Sequence, residues 1–416
     1  MRGDVDLSAF EQSLREEAQR RSPASGGGTS ALPAELSAAA ERYVGVDPSR
    51  MVPGNRFKLL RDGVEAFPEM LDAIRAARRK IRLEVYMFID DAVGALFARA
   101  LAEAAARGVQ VKVLYDWLGS LPTRRAFFRR LRAEGVDVRA FKPLNFARGI
   151  GALIRRDHRK ILVVDGEVAF VGGINLAAQW APRGRGQGGG WRDDVMKIEG
   201  PAALTLERLF CASWRMEAHK RLYRYRRRSA RRRLLQPGDA NAVILSSRRA
   251  IHRAYLRAIE HARRSVMIAN AYFLPDGRLM RALRQAAQRG VSVQLILAGK
   301  SDHPWVKWAT RALYDRMLGW GVQIYEWYDG VLHSKTAVVD GTWGTVGSFN
   351  LEPMSRRFNY EANLVFTDPR WGAALQRSFL EDSRLCRRIT RDVWTKRPWW
   401  HRVIERLFFV LSRVVL

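Results

Sequence analysis

Two ten-residue stretches of this chain repeat one pattern of polar residues in a largely apolar run. Residues 157–166 read DHRKILVVDG, and residues 332–341 read LHSKTAVVDG. Each contains a histidine, a lysine two residues later and an Asp-Gly pair after four more residues. Since residues two apart on a strand face the same side, the histidine and lysine of each copy are predicted to project together. The Asp-Gly pair is typical of a tight turn into a second strand.

The repetition extends well beyond these ten residues. The two histidines are 333 − 158 = 175 residues apart, and a similar series of helix and strand patterns precedes each motif. The predicted helices span 65–79, 93–107 and 123–134 in the first series, and 249–263, 277–289 and 304–318 in the second. The predicted strands span 81–89, 109–117 and 136–141 in the first series, and 265–274, 291–299 and 322–327 in the second.

A repeat of this length is a duplicated domain rather than a short solenoid unit. Strands that alternate with helices imply largely parallel sheets covered by helices. We therefore predict a duplicated α/β fold with two mixed or mostly parallel sheets. We expect a pseudo-two-fold axis to relate the halves, with one active site between them.

Composition restricts the partners and the compartment. The 416 residues carry 72 lysines and arginines against 42 acidic residues, a net charge of +30. Such an excess predicts attraction to nucleic acid or to an anionic membrane. The two cysteines, Cys211 and Cys386, fit a reducing compartment. No signal peptide and no apolar run near the ~20 residues of a spanning helix are recognisable, so we expect any membrane contact to be peripheral.

Composition also divides the chain into five segments. A Gly/Ser-rich stretch and an arginine-rich run provide the boundaries outside the two repeats. The predicted segments are a flexible N-terminal extension at 1–53, a first repeat at 54–220, an arginine-rich linker at 221–240, a second repeat at 241–390 and a C-terminal amphipathic helix at 391–416.

The chemistry of the repeated motif suits a phosphate diester. The returning strands carry GGIN at 172–175 and GSFN at 347–350, so that an asparagine comes back beside each histidine and lysine. Lysine offers a compact positive charge to phosphoryl oxygens, and histidine can attack phosphorus or transfer a proton. Two such sets provide both a nucleophile and an acid. No metal-ligand spacing and no GxxxxGK loop are present, so we predict neither metal nor cofactor.

These motifs resemble the HKD signature of the phospholipase D superfamily over about residues 54–390. The signature is present twice, as His158, Lys160 and Asp165 and as His333, Lys335 and Asp340. GNRFKLLRDGVEAFPEML, EVYMFIDD and FNYEANLVF most resemble bacterial cardiolipin synthases without N-terminal transmembrane helices, the cardiolipin synthase B-like group.

This resemblance implies a ping-pong reaction through a phosphohistidine. We assign His158 as the nucleophile and His333 as the acid and base, although the motifs barely distinguish the two roles. The supporting residues predicted to hold or border the phosphoryl group are Lys160, Lys335, Asn175, Asn350, Gly173 and Ser348. Asp165 and Asp340 are expected to make structural hydrogen bonds at their turns.

Two further carboxylates, Asp194 and Glu361, are each predicted to orient an imidazole as in catalytic triads. Asp193 competes with Asp194 for that role. Among the other five histidines, His303 is the strongest candidate to border a site, because it follows a strand.

The C-terminal stretch 398–416 predicts an amphipathic helix that lies on a membrane. Helical projection places one apolar face opposite a polar one. The apolar face comprises Trp400, Val403, Leu407, Leu411 and Val414, widened by Phe408 and Phe409. The polar face comprises Arg402, Glu405, Arg406, Ser412 and Arg413. Paired tryptophans suit the head-group level, and the arginine run at 221–235 favours anionic lipid.

The predicted function is cardiolipin synthesis. The enzyme would transfer the phosphatidyl group from phosphatidylglycerol, or from phosphatidylethanolamine, to the glycerol of another phosphatidylglycerol. We expect a peripheral protein on the cytoplasmic side of a bacterial membrane, with anionic phospholipids (phosphatidylglycerol and the cardiolipin product) and no nucleic acid as partners. The alternatives are a phospholipase D, an HKD-type nuclease and a membrane-binding protein without catalysis.

Overall fold

The structure is a computed structural model, and it describes residues 6–21, 51–142, 154–182, 190–219 and 237–415. These residues form two compact units. The first comprises residues 6–21, 52–142, 154–182, 195–219 and 237–244, and the second comprises residues 51, 190–194 and 245–415. The arginine run at 221–235 and most of the predicted extension at 1–53 lie outside the described residues.

The first unit is a mixed sheet with helices on it. Its strands are β1 (Val52–Arg61), β2 (Lys80–Val85), β3 (Gln110–Asp116), β4 (Asp137–Phe141), β5 (Ile161–Val164), β6 (Val168–Gly172), β7 (Asp194–Glu199) and β8 (Ala240–Leu245). Its helices are α1 (Leu7–Arg21), α2 (Asp62–Ala76), α3 (Ala92–Ala106), α4 (Arg125–Ala133) and α5 (Ala202–His219), with a 3-10 turn at Ala178–Trp180. The strand order is β8-β1-β7-β6-β5-β2-β3-β4.

The second unit repeats this plan. Its strands are β9 (Ser265–Asn270), β10 (Ser292–Ala298), β11 (Gln323–Trp327), β12 (Lys335–Val339), β13 (Trp343–Gly347), β14 (Asn363–Thr367) and β15 (Arg387–Ile389), in the order β15-β11-β10-β9-β12-β13-β14. Its helices are α6 (Arg248–His261), α7 (Gly277–Gln288), α8 (Pro304–Arg311), α9 (Tyr314–Gly319), α10 (Pro353–Arg357), α11 (Pro369–Leu385), α12 (Arg391–Thr395) and α13 (Trp399–Val415).

Six strands of each unit pair in the same order, β7-β6-β5-β2-β3-β4 and β14-β13-β12-β9-β10-β11, which confirms the predicted duplicated α/β fold. In each unit three strands are parallel, β2-β3-β4 and β9-β10-β11. The strand within each motif and the two strands after it, β5-β6-β7 and β12-β13-β14, are antiparallel. The sheets are therefore mixed, because the two strands joined by each Asp-Gly turn pair in opposite directions.

The helices cover the sheets through apolar stripes of helical period. In α2 the buried side chains include Val64, Phe67, Leu71 and Ile74, spaced three and four residues apart. Burial of each such side chain contributes roughly 1.5–3 kcal/mol. Four glycines that follow helices adopt positive φ, between 83° and 86°, as is common at helix C-termini: Gly108, Gly135, Gly290 and Gly321.

Two helical regions depart from the sequence patterns in different ways. Nothing in the sequence patterns predicts α1, whose buried Glu11 pairs with Arg75 at 2.5 Å and lies 3.7 Å from Arg99. The predicted helix over 304–318 is broken into α8 and α9. No helix among the described residues is both long enough and apolar enough to cross a bilayer.

Candidate active site

Each repeated motif is anchored by its aspartate. Asp165 and Asp340 both have positive φ, 55° and 54°, and each is followed by a glycine of positive φ. The Asp165 carboxylate accepts three backbone N–H bonds of 2.8–2.9 Å from residues 78–80. The Asp340 carboxylate accepts three of 2.7–2.9 Å from residues 263–265. These hydrogen bonds fasten each turn to the start of the neighbouring strand.

The histidines stand just ahead of the motif strands rather than within them. β5 begins at Ile161 and β12 begins at Lys335, so His158 and His333 occupy the approach to each strand. The Lys160 ammonium donates to the His158 carbonyl at 2.8 Å. Lys335 makes the same bond to the His333 carbonyl. All four side chains belong to buried residues, which fixes each lysine beside its histidine.

The imidazole of the second repeat is hydrogen-bonded to a carboxylate. His333 Nδ1 lies 2.6 Å from Asp193 Oδ2, and the side chains are only 5% and 0% exposed. A carboxylate at Nδ1 fixes the ring orientation and stabilises the imidazolium form, as in catalytic triads.

The carboxylate in contact with His333 is Asp193, while Asp194 has a different set of partners. The Asp194 carboxylate accepts from Ser334 Oγ at 2.6 Å and from Arg192 at 2.9 Å. The sheet register explains the difference. Gly172 pairs with Val195 in the first unit, and the equivalent Gly347 pairs with Asn363 in the second. Counting back two residues from each partner makes Asp193 the counterpart of Glu361.

The short segment that carries Asp193 is clamped within the second unit. The Arg192 carbonyl accepts from the His333 N–H at 2.7 Å, and the Arg192 N–H donates to the Val331 carbonyl. The Arg192 guanidinium bonds the Asp382 carboxylate on α11 at 2.8 Å and the Ser378 hydroxyl at 2.9 Å. Sequence reasoning missed Arg192, although its position in WRDD beside the carboxylates was a signal.

Glu361 is held by two hydroxyls of its own unit. Ser348 Oγ donates to one carboxylate oxygen at 2.5 Å, and Ser355 Oγ donates to the other at 2.7 Å. The Glu361 side chain is fully buried. Ser348 therefore positions the Glu361 carboxylate. The sequence predicted Ser348 near the phosphoryl group and did not predict this contact.

The asparagines lie at the ends of the returning strands. Asn175 Oδ1 accepts from the Met87 N–H at 3.1 Å. Asn350 is 2% exposed, and its Oδ1 has no hydrogen-bond partner among the described residues. Asn270, opposite Lys335 in the sheet, likewise has a buried Nδ2 without a partner among those residues. Gly173 is buried directly after β6.

An aromatic ring lies against each histidine–lysine pair. The Tyr86 ring is 5.3 Å from the His158 ring and 5.3 Å from Lys160 Nζ. In the second unit Tyr272 lies 6.2 Å from the His333 ring and 5.8 Å from Lys335 Nζ. Neither tyrosine was predicted from the sequence, because rings on the first turn after a strand carry no motif of their own.

The first motif carries the buried charged residues Asp157 and Arg159 at positions where the second carries Leu332 and Ser334. Arg159 pairs with Glu84 at 3.3 Å, and Ser213 Oγ donates to the same carboxylate at 2.7 Å. Burial, and then the charge of Glu84, raise the pKa of Asp157 well above its usual range. Leu332 stands at the position of Asp157 in the second motif. The two histidines therefore have different electrostatic surroundings.

Burial changes the pKa of the lysine in the second motif. Burial lowers the pKa of Lys335 to about 8. Three carboxylates oppose this shift, those of Asp193, Asp302 and Glu361. An ammonium that lacks full hydration is a strong partner for a phosphoryl oxygen. Among the described residues, no group of three or more histidines, cysteines or carboxylates is arranged to hold a metal ion.

Comparison with known proteins identifies the family. A family model described as "Cardiolipin synthase, PLD-like domain" matches residues 70–181 and 255–383, more than half of the chain. Each matched span contains one histidine–lysine motif. The chain therefore belongs to the family of cardiolipin synthases built from phospholipase D-like domains, which confirms the resemblance seen in the sequence.

Relatives match along most of the chain. Cardiolipin synthase B of Salmonella typhi is 37% identical over 374 residues, which cover 86% of this chain and 88% of the relative. Cardiolipin synthase B of Escherichia coli strain K12 is 35% identical over 376 residues with the same coverage. The solved phosphatidylserine synthase of Haemophilus influenzae Rd KW20 shares the fold, with a TM-score of 0.63 at 12% identity over 91% of this chain and 98% of that one.

Proposed function

We propose that this protein is a cardiolipin synthase. It transfers the phosphatidyl group of one phosphatidylglycerol, or of phosphatidylethanolamine, to the glycerol head group of a second phosphatidylglycerol. The observation that carries the proposal is the buried Asp193–His333 pair, with 2.6 Å between Oδ2 and Nδ1, beside the buried Lys335. An acid–base imidazole next to a phosphate-binding cation is the equipment that alcohol exchange at phosphorus requires.

In the first step of this proposal, His158 is the nucleophile. A ring nitrogen of His158 attacks the phosphorus of the donor lipid, and the P–O bond to the glycerol of its head group breaks. The imidazolium of His333 gives its proton to the departing glycerol oxygen. The products of this step are free glycerol and a phosphatidyl group joined to His158 by a P–N bond.

In the second step, the acceptor alcohol replaces the histidine. A hydroxyl of the second phosphatidylglycerol gives its proton to neutral His333 and attacks phosphorus, and the P–N bond breaks. Cardiolipin leaves with His158 free and His333 protonated again. Asp193 supports both steps, because it favours the imidazolium in the first and keeps the ring oriented in the second.

The lysines and asparagines stabilise the charge on the phosphoryl oxygens. Lys160 and Lys335 are each tied to the carbonyl of the preceding histidine, so each ammonium is held close to its imidazole. Asn350 has an amide oxygen with no partner among the described residues. Rotation of this amide would present its N–H groups to a substrate oxygen.

Hydrolysis of the same lipids is the principal competing function, since water and an alcohol can both attack a phosphohistidine. Product analysis distinguishes the two. Purified protein is incubated with phosphatidylglycerol vesicles, with and without phosphatidylethanolamine, and all products are measured by mass spectrometry. We expect cardiolipin with an equimolar amount of glycerol or ethanolamine, and loss of turnover in His158→Ala and His333→Ala.

Phosphatidic acid as the sole product would make the protein a phospholipase. Turnover of an oligonucleotide but of no lipid would make it a nuclease. Membrane binding with unchanged behaviour in both histidine variants would mean a protein without catalysis.

We also propose that the protein works as a peripheral protein on an anionic membrane, bound by α13 and by the arginine run at 221–235. Helix α13 turns six large apolar side chains to solvent, and Trp399 is 75% and Leu407 54% exposed. These side chains are Trp399, Trp400, Val403, Leu407, Val410 and Leu411. The net charge of +30 supports attraction to anionic lipid, on the cytoplasmic side that the cysteine usage favours.

A further inference from the structure

A tyrosine, an aspartate and a histidine lie beside the catalytic residues of the second unit without a role in the steps above. Asp302 and His303 belong to the loop between β10 and α8. The Tyr272 hydroxyl donates its hydrogen to the Asp302 carboxylate, whose two oxygens lie 2.8 and 2.7 Å from it. His303 Nε2 is 3.7 Å from Asp302 Oδ2, and its ring packs edge-on against Tyr272 at 5.3 Å. We call these three residues the Tyr272 cluster.

The Tyr272 cluster adjoins the acid–base histidine. The Tyr272 ring is nearly perpendicular to the His333 ring, at 85°, with 6.2 Å between their centroids. Lys335 Nζ is 5.8 Å from the centre of the same ring. The Asp302 charge is also near enough to oppose the lowering of the Lys335 pKa. One aromatic ring therefore separates Asp302 and His303 from the reacting groups.

The cluster is open to a ligand, whereas the catalytic residues are buried. The side chains of Asp302 and His303 are 26% and 54% exposed, against 5% for His333. The carboxylate and the imidazole of the cluster can therefore contact a molecule from solvent.

The first repeat carries no such group at the corresponding loop. There Tyr86 is contacted through its backbone carbonyl by the Ser120 hydroxyl at 3.3 Å. The loop after β3 exposes Leu118 and Leu121 and contains no carboxylate between Trp117 and Thr123. Of these two described loops, one alone carries a carboxylate and an imidazole beside its histidine–lysine pair. That loop lies beside His333, the histidine that we assign to proton exchange with the alcohol.

The chemistry of the cluster fits an alcohol rather than a phosphate. An ionised carboxylate only accepts hydrogen bonds and repels phosphoryl oxygens, while a hydroxyl group can donate to it. Neutral histidine both donates and accepts. We infer that Tyr272, Asp302 and His303 bind the hydroxyl groups of the acceptor's glycerol and so favour transfer over hydrolysis. This inference rests on the proposed cardiolipin synthesis and names the acceptor subsite of that reaction.

The test measures how the phosphoenzyme divides between the two acceptors. Wild-type protein, Asp302→Asn and Asp302→Ala/His303→Ala act on phosphatidylglycerol vesicles, and cardiolipin and phosphatidic acid are quantified together. We expect the ratio of cardiolipin to phosphatidic acid to fall at least about tenfold, the effect of losing a hydrogen bond to a charged group. Donor consumption should change much less, because the first step does not need the acceptor.

Two further variants separate acceptor binding from indirect effects. Tyr272→Phe keeps the ring against His333 and should lower the ratio less than Asp302→Asn. Asp137→Asn removes a half-exposed surface carboxylate of the first unit and should leave the ratio at the wild-type value. If Asp302 acted only through the charge of Lys335, donor consumption and cardiolipin formation would fall together and the ratio would stay constant.

Isotope-labelled glycerol provides a soluble acceptor probe. Its capture as labelled phosphatidylglycerol should require a higher glycerol concentration in Asp302→Asn than in the wild type. An unchanged product ratio and an unchanged glycerol requirement in both Asp302 variants would overturn the inference. Absence of cardiolipin from the wild-type reaction would instead overturn the proposed function itself.

Discussion

At the scale of single residues, the proposed proton transfer by His333 depends most on Asp193. Its carboxylate is completely buried and lies 2.6 Å from the His333 ring nitrogen. A buried carboxylate loses its hydration, and a charged imidazolium in contact with it offsets that loss better than a neutral imidazole does. In the proposed mechanism, Asp193 therefore contributes most while His333 carries the transferred proton.

We predict that Asp193→Asn lowers kcat about 10²–10⁴-fold, the range that general acid–base catalysis contributes, with KM for phosphatidylglycerol nearly unchanged. The asparagine keeps the shape and loses the charge. Steady-state kinetics on vesicles provide the measurement. Asp194→Asn is the matched control, because Asp194 bonds Ser334 and Arg192 and this substitution should affect stability more than kcat. Wild-type kcat in Asp193→Asn would contradict the assignment.

Lys335 gives a prediction for pH. Its pKa is lowered to about 8 mainly by burial, so its positive charge is present below that pH and is lost as the pH rises through it. We predict that kcat/KM for phosphatidylglycerol falls above about pH 8, well before an ordinary lysine would titrate. The pH profile of kcat/KM measures this effect. In Lys335→Arg the falling limb should move to higher pH, and an identical limb would exclude Lys335 as its cause.

At the scale of elements, the Asp-Gly turns determine where the histidines lie. Asp165 and Asp340 each bind three consecutive backbone N–H groups at the start of the strand beside the motif. Burial opposes ionisation of Asp165, but these bonds prevail and lower its pKa. Its ionised form therefore stabilises the fold above the unfolded pKa, and this contribution is lost as the pH falls through the folded value.

Helix α13 is the element whose orientation differs most from a simple amphipathic projection. Glu405 and Ser412, predicted on the solvent side, are 1% and 6% exposed. Glu405 lies 3.2 Å from Arg397 and 3.5 Å from Arg311. Phe408 and Phe409 pack on the cluster of Leu274, Val306 and Ala309, together with Tyr272. Trp400, Val403, Leu407 and Leu411 of the predicted apolar face are exposed, because the ion pairs of Glu405 hold the side of the helix that carries it inward.

We predict that Leu407→Glu weakens binding to phosphatidylglycerol vesicles at least about tenfold, since burial of a leucine in lipid contributes roughly 1.5–3 kcal/mol. Vesicle co-sedimentation at two salt concentrations measures the loss and separates it from the electrostatic part. Leu385→Glu is the matched control, because Leu385 on α11 is 64% exposed. Equal binding by the two variants would mean that α13 does not contact the membrane.

At the scale of the whole molecule, local patterns predict the duplicated fold well. The predicted ranges of most helices and strands lie close to those of the observed elements. What local patterns miss depends on contacts between distant residues. Glu405 faces inward, for example, because Arg311, far away in sequence, pairs with it.

The candidate site shows the same division. The histidines, lysines and asparagines are predictable because each carries its chemistry in a short motif. The choice between Asp193 and Asp194 depends on the pairing of Gly172 with Val195, which residue spacing alone does not supply. Tyr272 and Asp302 meet only through the fold, so no linear pattern joins them.

The most direct test of phosphatidyl transfer through two histidines is to trap the covalent intermediate. An activated donor, phosphatidyl-4-nitrophenol, has a leaving group that needs no acid. It is mixed with His333→Ala and with His158→Ala, and the protein is quenched, digested and mapped by mass spectrometry. The account predicts an acid-labile phosphatidyl group on the peptide containing His158 in His333→Ala, and none in His158→Ala. An adduct on His333, or cardiolipin formation by the wild type without any adduct, would contradict it.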